Sequence, residues 1–336
     1  MAFFLLGSFI LFCEFGSCDY SVIGSDLVYG NFSILAYLGF FFIILTFFFK
    51  LGIFPLSNWV ADVYDGSSVF VLCLLIFSKF SIMVAFLNIF YMLPDSIYFF
   101  KFLIFLGVLG SSIVGGFGAV LTQRFKRFLA YSGMVHISLA LSMLLTSFGL
   151  NSFFIIGYTL FYCLSSFIIV VLGYRSLRPS GISGLIFLTD IAYGGGVSPF
   201  FFLPIIIIIF NFAGLPPTLG FLFKMFVFFV LAYGFNIFSA IVLISLLTIS
   251  LVTTFNYLRV LKVTFFEKWW VDNFLVNLSQ KILNFSNKSF LSNVKLPKVK
   301  LLSSEFNTDF IKEFFFLIVI FLVYIVLPAV ILFSLF

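Results

Sequence analysis

The stretch of sequence that decides the fold runs from residue 198 to residue 234 and reads SPFFFLPIIIIIFNFAGLPPTLGFLFKMFVFFVLAYG. It is apolar enough to enter a membrane, and Lys224 is its only charged residue. At ~1.5 Å per residue a straight helix of this length would measure about 55 Å, against about 30 Å of hydrocarbon in a bilayer. The stretch must therefore be interrupted. The segment from Gly214 to Pro217 (GLPP) supplies the interruption, because proline breaks the helical hydrogen-bond pattern.

The whole chain has the composition of a membrane protein. Its 336 residues are 63% hydrophobic and 9% charged, and the mean hydropathy is +1.27. A soluble domain carries roughly 25% charged residues. The composition therefore excludes a soluble enzyme, a nucleic-acid-binding protein and a disordered protein, and the net charge of +6 does not indicate a nucleic-acid partner. Membrane lipids are the expected surroundings.

Apolar runs separated by polar, proline-rich or glycine-rich breaks predict an all-α bundle of about nine membrane spans. The predicted spans cover residues 2–18, 31–54, 67–93, 96–120, a fifth ending near 146, 150–174, 198–234, 236–262 and 311–336. Residues 55–66 are expected to be a break.

Three parts follow from this division of the chain. Residues 1–262 form the membrane bundle, and residues 311–336 form a last membrane helix. Residues 263–310 are rich in charge and form a basic loop. Apolar residues beginning at Trp269 recur there at helical spacing, which predicts an amphipathic helix on the membrane surface.

The basic residues fall on one side of this bundle. With nine spans, the loops on one side hold no Lys or Arg, and most of the 18 basic residues fall in the loops on the other side. The positive-inside rule makes the basic side the matrix or cytoplasmic side. The N-terminus is then expected on that side and the C-terminus on the opposite side.

Ionisable residues inside the spans are the candidate functional residues. A charge at mid-membrane costs about 2.5–3.5 kcal/mol on insertion scales, so such residues are functional candidates by default. Lys79 lies at the midpoint of its span. A lysine removed from water can lose its proton near neutral pH. Lys224 lies in the second half of the interrupted stretch, where broken helices border water-filled cavities in many ion carriers.

Lys50 and His136 allow two interpretations each. In a straight helix Lys50 reaches the membrane surface, but it moves toward the middle if Pro55 breaks a longer span that continues past Trp59. His136 is central in the fifth span, where it is either a packed, hydrogen-bonded residue or a proton relay.

No cofactor site is expected in this chain. It has no GxGxxG motif, no phosphate-binding loop and no pair of membrane histidines for haem. Its four cysteines lack metal-type spacing and are interpreted as packed apolar residues. The 57 Phe residues are typical of a T-rich coding sequence, as in some organelle genomes.

Four motifs resemble a known family. They are KLGIFPLSNWVADVYD (residues 50–65), RFLAYSGMVH (127–136), AGLPPTLGFLFKMF (213–226) and NYLRVLKVTFF (256–266). In this order they resemble the antiporter-like membrane subunits of respiratory complex I, in particular the subunit 2 branch.

The resemblance implies a membrane-arm subunit of mitochondrial complex I, which takes part in proton translocation coupled to electron transfer to ubiquinone. It implies that Lys50, Lys79, His136 and Lys224 transfer protons and that other membrane-arm subunits are partners. The family's first five helices and an acidic partner of Lys50 are not recognisable here. A separate polypeptide is expected to supply both. A non-pumping spacer and a subunit of a multi-subunit cation/proton antiporter remain the alternatives.

Overall fold

The computed structural model describes residues 2–17, 19, 23, 33–91, 98–146, 151–177, 202–216, 218–234 and 236–262. In those residues all of the elements are helices, as predicted. They are α1 (Ala2–Phe15), α2 (Ile34–Leu51), α3 (Asn58–Gly66), α4 (Val69–Phe90), α5 (Tyr98–Leu121), α6 (Phe125–Ser142), α7 (Asn151–Leu177), α8 (Phe202–Ala213), α9 (Leu219–Tyr233) and α10 (Ile237–Lys262), with a 3-10 turn, Met143–Leu145, after α6.

Six helices in the described part of the chain are long and apolar enough to cross a membrane. They are α2, α4, α5, α6 with its 3-10 turn, α7 and α10; α1, α8 and α9 are shorter apolar helices. Large apolar side chains such as Phe70, Phe153 and Ile237 are exposed on the outside of the bundle, as expected where lipid surrounds a protein. The predicted surface helix within 263–310 and the last span, 311–336, lie outside the described residues.

The apolar stretch that contains Lys224 is interrupted where the sequence predicts. Helix α8 ends at Ala213 and α9 begins at Leu219. Gly214 has φ +72°, a conformation that favours glycine, and its N–H donates to the Phe210 and Asn211 carbonyls. The two short helices are therefore the halves of one broken helix.

A second broken helix is formed by α2 and α3. Helix α2 ends at Leu51, and Gly52 closes it with φ +76°. The chain resumes helical geometry at Asn58, so most of the predicted break at residues 55–66 is the second half of an interrupted helix. The indole N–H of Trp59 donates to the Phe49 carbonyl at 3.1 Å, which holds the two halves together. The alternative in which Pro55 breaks a longer span describes this region correctly.

Helix α6 is the centre of the bundle. It contacts α3, α5, α7, α9 and α10, and 94% of an 18-residue window within Phe125–Leu145 is buried. Small residues allow the close approach: a Cβ on Gly115 of α5 would lie 2.9 Å from the Tyr131 carbonyl of α6. Because α6 carries His136, this packing places the histidine in the middle of the protein.

Ionic contacts join α3, the second half of the broken helix formed by α2 and α3, to α6. The Asp65 carboxylate at the end of α3 accepts from Arg124 and from Arg127, the latter at 3.0 Å. Arg127 also donates to Asp62 at 3.2 Å, and Lys126 donates to the Ser67 carbonyl at 2.6 Å. These contacts fix the direction of α3, which carries Tyr64 into the interior.

Candidate functional site

Lys79 of α4 is buried against an aromatic ring. The residue is 6% exposed, and its ammonium nitrogen has no hydrogen-bond partner among the described residues. The nitrogen lies 4.7 Å from the centre of the Tyr64 ring, a cation–π contact. A Cβ added to Gly133 would lie 3.5 Å from this nitrogen and 2.7 Å from the Tyr162 hydroxyl. The glycine therefore leaves open the space in which the lysine and the hydroxyl approach each other.

Tyr162 of α7 connects the surroundings of Lys79 to His136. Its ring stacks on the imidazole with ring centres 4.6 Å apart and an interplanar angle of 24°. Its hydroxyl, like that of Tyr257 from α10, interacts with the Ser132 hydroxyl. Buried polar groups thus lie between the lysine and the histidine, although the ammonium makes no hydrogen bond to them among the described residues.

His136 has a hydrogen-bond partner on each ring nitrogen. The residue is 5% exposed; Nδ1 lies 2.7 Å from the Tyr158 hydroxyl and Nε2 lies 3.1 Å from the Tyr257 hydroxyl. A neutral imidazole donates from one nitrogen and accepts at the other. A proton that arrives from one tyrosine can therefore leave toward the other, so the packed geometry also suits a relay.

Lys224 of α9 is held by the break between α8 and α9. The residue is 6% exposed, and its ammonium donates to the Phe212 and Ala213 carbonyls at 2.7 and 2.9 Å. Carbonyls in the last turn of a helix lack intrahelical partners, so the end of α8 supplies acceptors inside the protein. A Cβ on Gly214 would lie 2.8 Å from Cδ of the lysine. Glycine at the break is thus needed for both the turn and the lysine.

A small cavity separates His136 from Lys224. The cavity offers about 10 Å³ to the centre of a water molecule. This is close to the room that one water needs. Besides these two residues the cavity is lined by Tyr158, Phe161, Tyr162, Ser165, Asn211, Phe212 and Gly220. We call Lys79, Tyr162, His136, Tyr158 and Lys224 the central polar row.

The structure brings Lys79, His136 and Lys224 together and leaves Lys50 apart. Lys50 is half-buried in the last turn of α2, and in the described residues no carboxylate pairs with it. Lys101 of α5 and Glu14 of α1, which also carry charge within apolar helices, do not belong to the row, and Glu14 is exposed. The proton-transfer roles of the four predicted residues stay predictions.

Sequence reasoning missed the tyrosines and Asn211. Tyrosine in an apolar span is normally a packing residue, so nothing in its type distinguished the row. One usable signal was present, because Tyr158 and Tyr162 are four residues apart and therefore lie on one face of α7. Their face meets His136, whose two ring nitrogens require partners when buried.

The members of the row are amines, phenols and an imidazole, which are groups that gain and lose protons. In the described ranges no three His, Cys, Asp or Glu side chains come together as a metal site. The arrangement defines a membrane protein with titratable groups buried in its interior and two broken helices.

Comparison with known proteins identifies the family. Residues 1–253 match the transmembrane family described as NADH:quinone oxidoreductase/Mrp antiporter. The chain belongs to this family, which confirms the resemblance predicted from the four motifs.

The individual relatives are subunits of the complex I type. NADH-ubiquinone oxidoreductase chain 2 of Marchantia polymorpha is 30% identical over 246 residues, which cover 70% of this chain and 47% of the relative. NADH-quinone oxidoreductase subunit N of Acidithiobacillus ferrooxidans is 31% identical over 280 residues, covering 79% of this chain and 54% of the relative. The chain thus spans about half the length of the curated relatives it matches.

The fold is also that of solved complexes. A chain of respiratory complex I from Thermus thermophilus with bound aureothin aligns with a TM-score of 0.62 and 26% identity, over 79% of this chain and 56% of that one. A chain of the Mrp complex from Dietzia aligns with a TM-score of 0.65 but only 15% identity, over 79% of this chain and 48% of that one, and shows the fold alone.

Proposed function

We propose that this chain is the subunit of chain 2 type in the membrane arm of a mitochondrial NADH:ubiquinone oxidoreductase. In this proposal it is a non-redox subunit that takes part in proton translocation across the inner membrane, coupled to electron transfer to ubiquinone elsewhere in the complex. The observation that carries the proposal is the central polar row, which joins two buried lysines through a histidine. The similarity to chain 2 of Marchantia polymorpha supports the assignment.

Electrostatic repulsion supplies the coupling in this proposal. Two positive charges in a medium of low dielectric constant raise each other's energy, so the arrival of one proton favours the departure of another. Lys79 and Lys224 lie at the two ends of the row, and His136 lies between them. A charge that moves near Lys79 would therefore change the protonation of the histidine and then of Lys224.

Lys50 is half-buried and has no carboxylate within ion-pair distance among the described residues. We propose that a separate polypeptide supplies such a carboxylate together with the N-terminal helices that the family resemblance implies. A half-buried ammonium is stabilised by such a pairing. Other membrane-arm subunits are the expected neighbours.

Co-purification distinguishes this proposal from a multi-subunit cation/proton antiporter. Purification of the complex that contains this chain should recover flavin and iron–sulfur subunits with it. Recovery of a membrane assembly without those subunits would favour the antiporter alternative.

Replacement of Lys79 distinguishes a pumping subunit from a spacer. In the assembled complex, Lys79→Met should lower the number of protons translocated per NADH, because methionine fills the site but cannot hold a proton. Lys262→Met is the matched control, since Lys262 is exposed at the end of α10. An unchanged stoichiometry in a fully assembled Lys79→Met complex would support the spacer.

A further inference from the structure

In the side-chain amide of Asn211 of α8, one polar atom has a hydrogen-bond partner and the other has none among the described residues. Its side-chain oxygen accepts from the Gly220 backbone N–H at 2.7 Å. Since a backbone N–H needs an acceptor, this contact fixes which end of the amide is the oxygen. The amide nitrogen has no hydrogen-bond partner among the described residues, although Asn211 is only 1% exposed. A buried donor without an acceptor costs about 1–3 kcal/mol.

The cavity between His136 and Lys224 is where this donor can find its acceptor. Asn211 lines the cavity, which has room for about one water molecule. Lys224 also lines it and has a donor to spare, because an ammonium has three N–H groups and two of them go to the Phe212 and Ala213 carbonyls. Tyr158 and Ser165 contribute hydroxyl oxygens to the same wall.

We propose that Asn211 positions one bound water that carries protons between Lys224 and Tyr158. The water accepts from the Asn211 amide and from the Lys224 ammonium, and it donates to the Tyr158 and Ser165 hydroxyls. It thereby makes four hydrogen bonds, within the number usual for buried water. Asn211 is a positioning residue, since it exchanges no proton itself.

The transfer step balances without any further reactant. An N–H bond of Lys224 breaks as an O–H bond to the water forms. The water gives a different proton to the Tyr158 hydroxyl, whose own proton passes to Nδ1 of His136 over the 2.7 Å hydrogen bond. The lysine becomes neutral and the imidazole cationic. The reverse sequence returns the proton.

Asn211 also explains why the water site lies at a broken helix. The Asn211 contact with Gly220 spans the break, and a Cβ on Gly220 would lie 1.9 Å from the Asn211 backbone carbonyl. The close approach allowed by this glycine brings α8 and α9 together around the cavity. One side chain therefore fixes the break and supplies the free donor.

The inference rests on the proposed proton translocation but has its own structural test. A high-resolution map of the assembled complex should show a water within about 3.5 Å of the Asn211 amide nitrogen and of the Lys224 ammonium. A cavity without water, or an amide nitrogen paired with a protein acceptor, would overturn the inference.

A matched pair of variants gives the functional test. Asn256 of α10 is also 1% exposed and also has an unpartnered amide atom, but it does not line the cavity. In assembled complex, Asn211→Leu should slow proton translocation by roughly 10–100-fold and change its solvent isotope effect. Asn256→Leu should leave both unchanged.

The outcomes separate this inference from the proposed function. Equal effects of Asn211→Leu and Asn256→Leu would overturn the water site, even if Lys79→Met still lowers the stoichiometry. An ordered water together with an unchanged stoichiometry in Lys79→Met would instead contradict the proposed function. If Asn211→Leu prevents assembly, the map of the unmodified complex decides.

Discussion

At the scale of single residues, burial of amines in an apolar interior is the main physical feature of this protein. Lys79 and Lys224 are equally buried but are stabilised in different ways: an aromatic ring contacts the first, and two carbonyls accept from the second. Carbonyl acceptors satisfy the charged form of Lys224. Because the ring supplies no hydrogen-bond acceptor, Lys79 is the amine whose charge is less well satisfied in the structure.

Loss of the Tyr162 hydroxyl should interrupt the row without disturbing its packing. Tyr162→Phe keeps the ring that stacks on His136 and removes the oxygen beside Gly133. We expect proton translocation by the assembled complex to fall by roughly 10²-fold, as when a proton-transfer group is removed. Tyr131→Phe in α6 is the control, because the Tyr131 ring packs on Gly118 outside the row. Equal rates in both variants would contradict a role for the hydroxyl.

The charged members of this row could be predicted from the sequence, but the tyrosines that contact them could not. An amine or imidazole in a long apolar run is conspicuous because its burial is costly. Tyr64, Tyr158, Tyr162 and Tyr257 are amphipathic and fit an apolar span with either a packing or a hydrogen-bonding role. Only the packing of α3, α7 and α10 around α6 shows which role they have.

At the scale of helices, the two interruptions determine where the functional groups lie. Gly214 ends α8 beside Lys224, and Gly52 ends α2 so that α3 can turn Tyr64 toward Lys79. The first interruption was predicted from GLPP and from the excessive length of the stretch. The second was left open, because a proline near the end of a span is compatible with both a terminus and a break.

The ionic contacts of Asp65 should stabilise α3 against α6. Asp65 is 18% exposed and pairs with two arginines, whereas Asp62 is 76% exposed and pairs with one. Asp65→Asn should lower the free energy of unfolding by about 1 kcal/mol, and Asp62→Asn by much less. Thermal unfolding of the two variants in detergent or lipid measures the difference. A larger loss of unfolding free energy for Asp62→Asn than for Asp65→Asn would contradict the stabilising role of Asp65.

At the scale of the whole molecule, the charge distribution predicts the orientation in the membrane. The basic residues before α6 and at the end of α10 fall on one predicted side, and the loop between α9 and α10 falls on the other. The count of spans came from apolar run lengths alone. It extends to residues 311–336, which the described part of the chain does not reach, so this part of the architecture stays a prediction.

Labelling of single cysteines tests the orientation. Lys262 and Asn236 are both exposed and lie at opposite ends of α10. In inner-membrane vesicles, an impermeant thiol reagent should reach Lys262→Cys from the matrix side and Asn236→Cys from the intermembrane-space side. Labelling of both from the same side would contradict the assignment of α10 as a membrane span.

A double-variant measurement examines most directly whether Lys79 and Lys224 serve one continuous path. The number of protons translocated per NADH would be determined for Lys79→Met, for Lys224→Met and for the combined variant, each as assembled complex in sealed vesicles. A single path predicts that the combined variant loses no more than the more severe single variant, because an interrupted path cannot be interrupted again. Losses that add, or a stoichiometry that none of the three variants changes, would contradict the account.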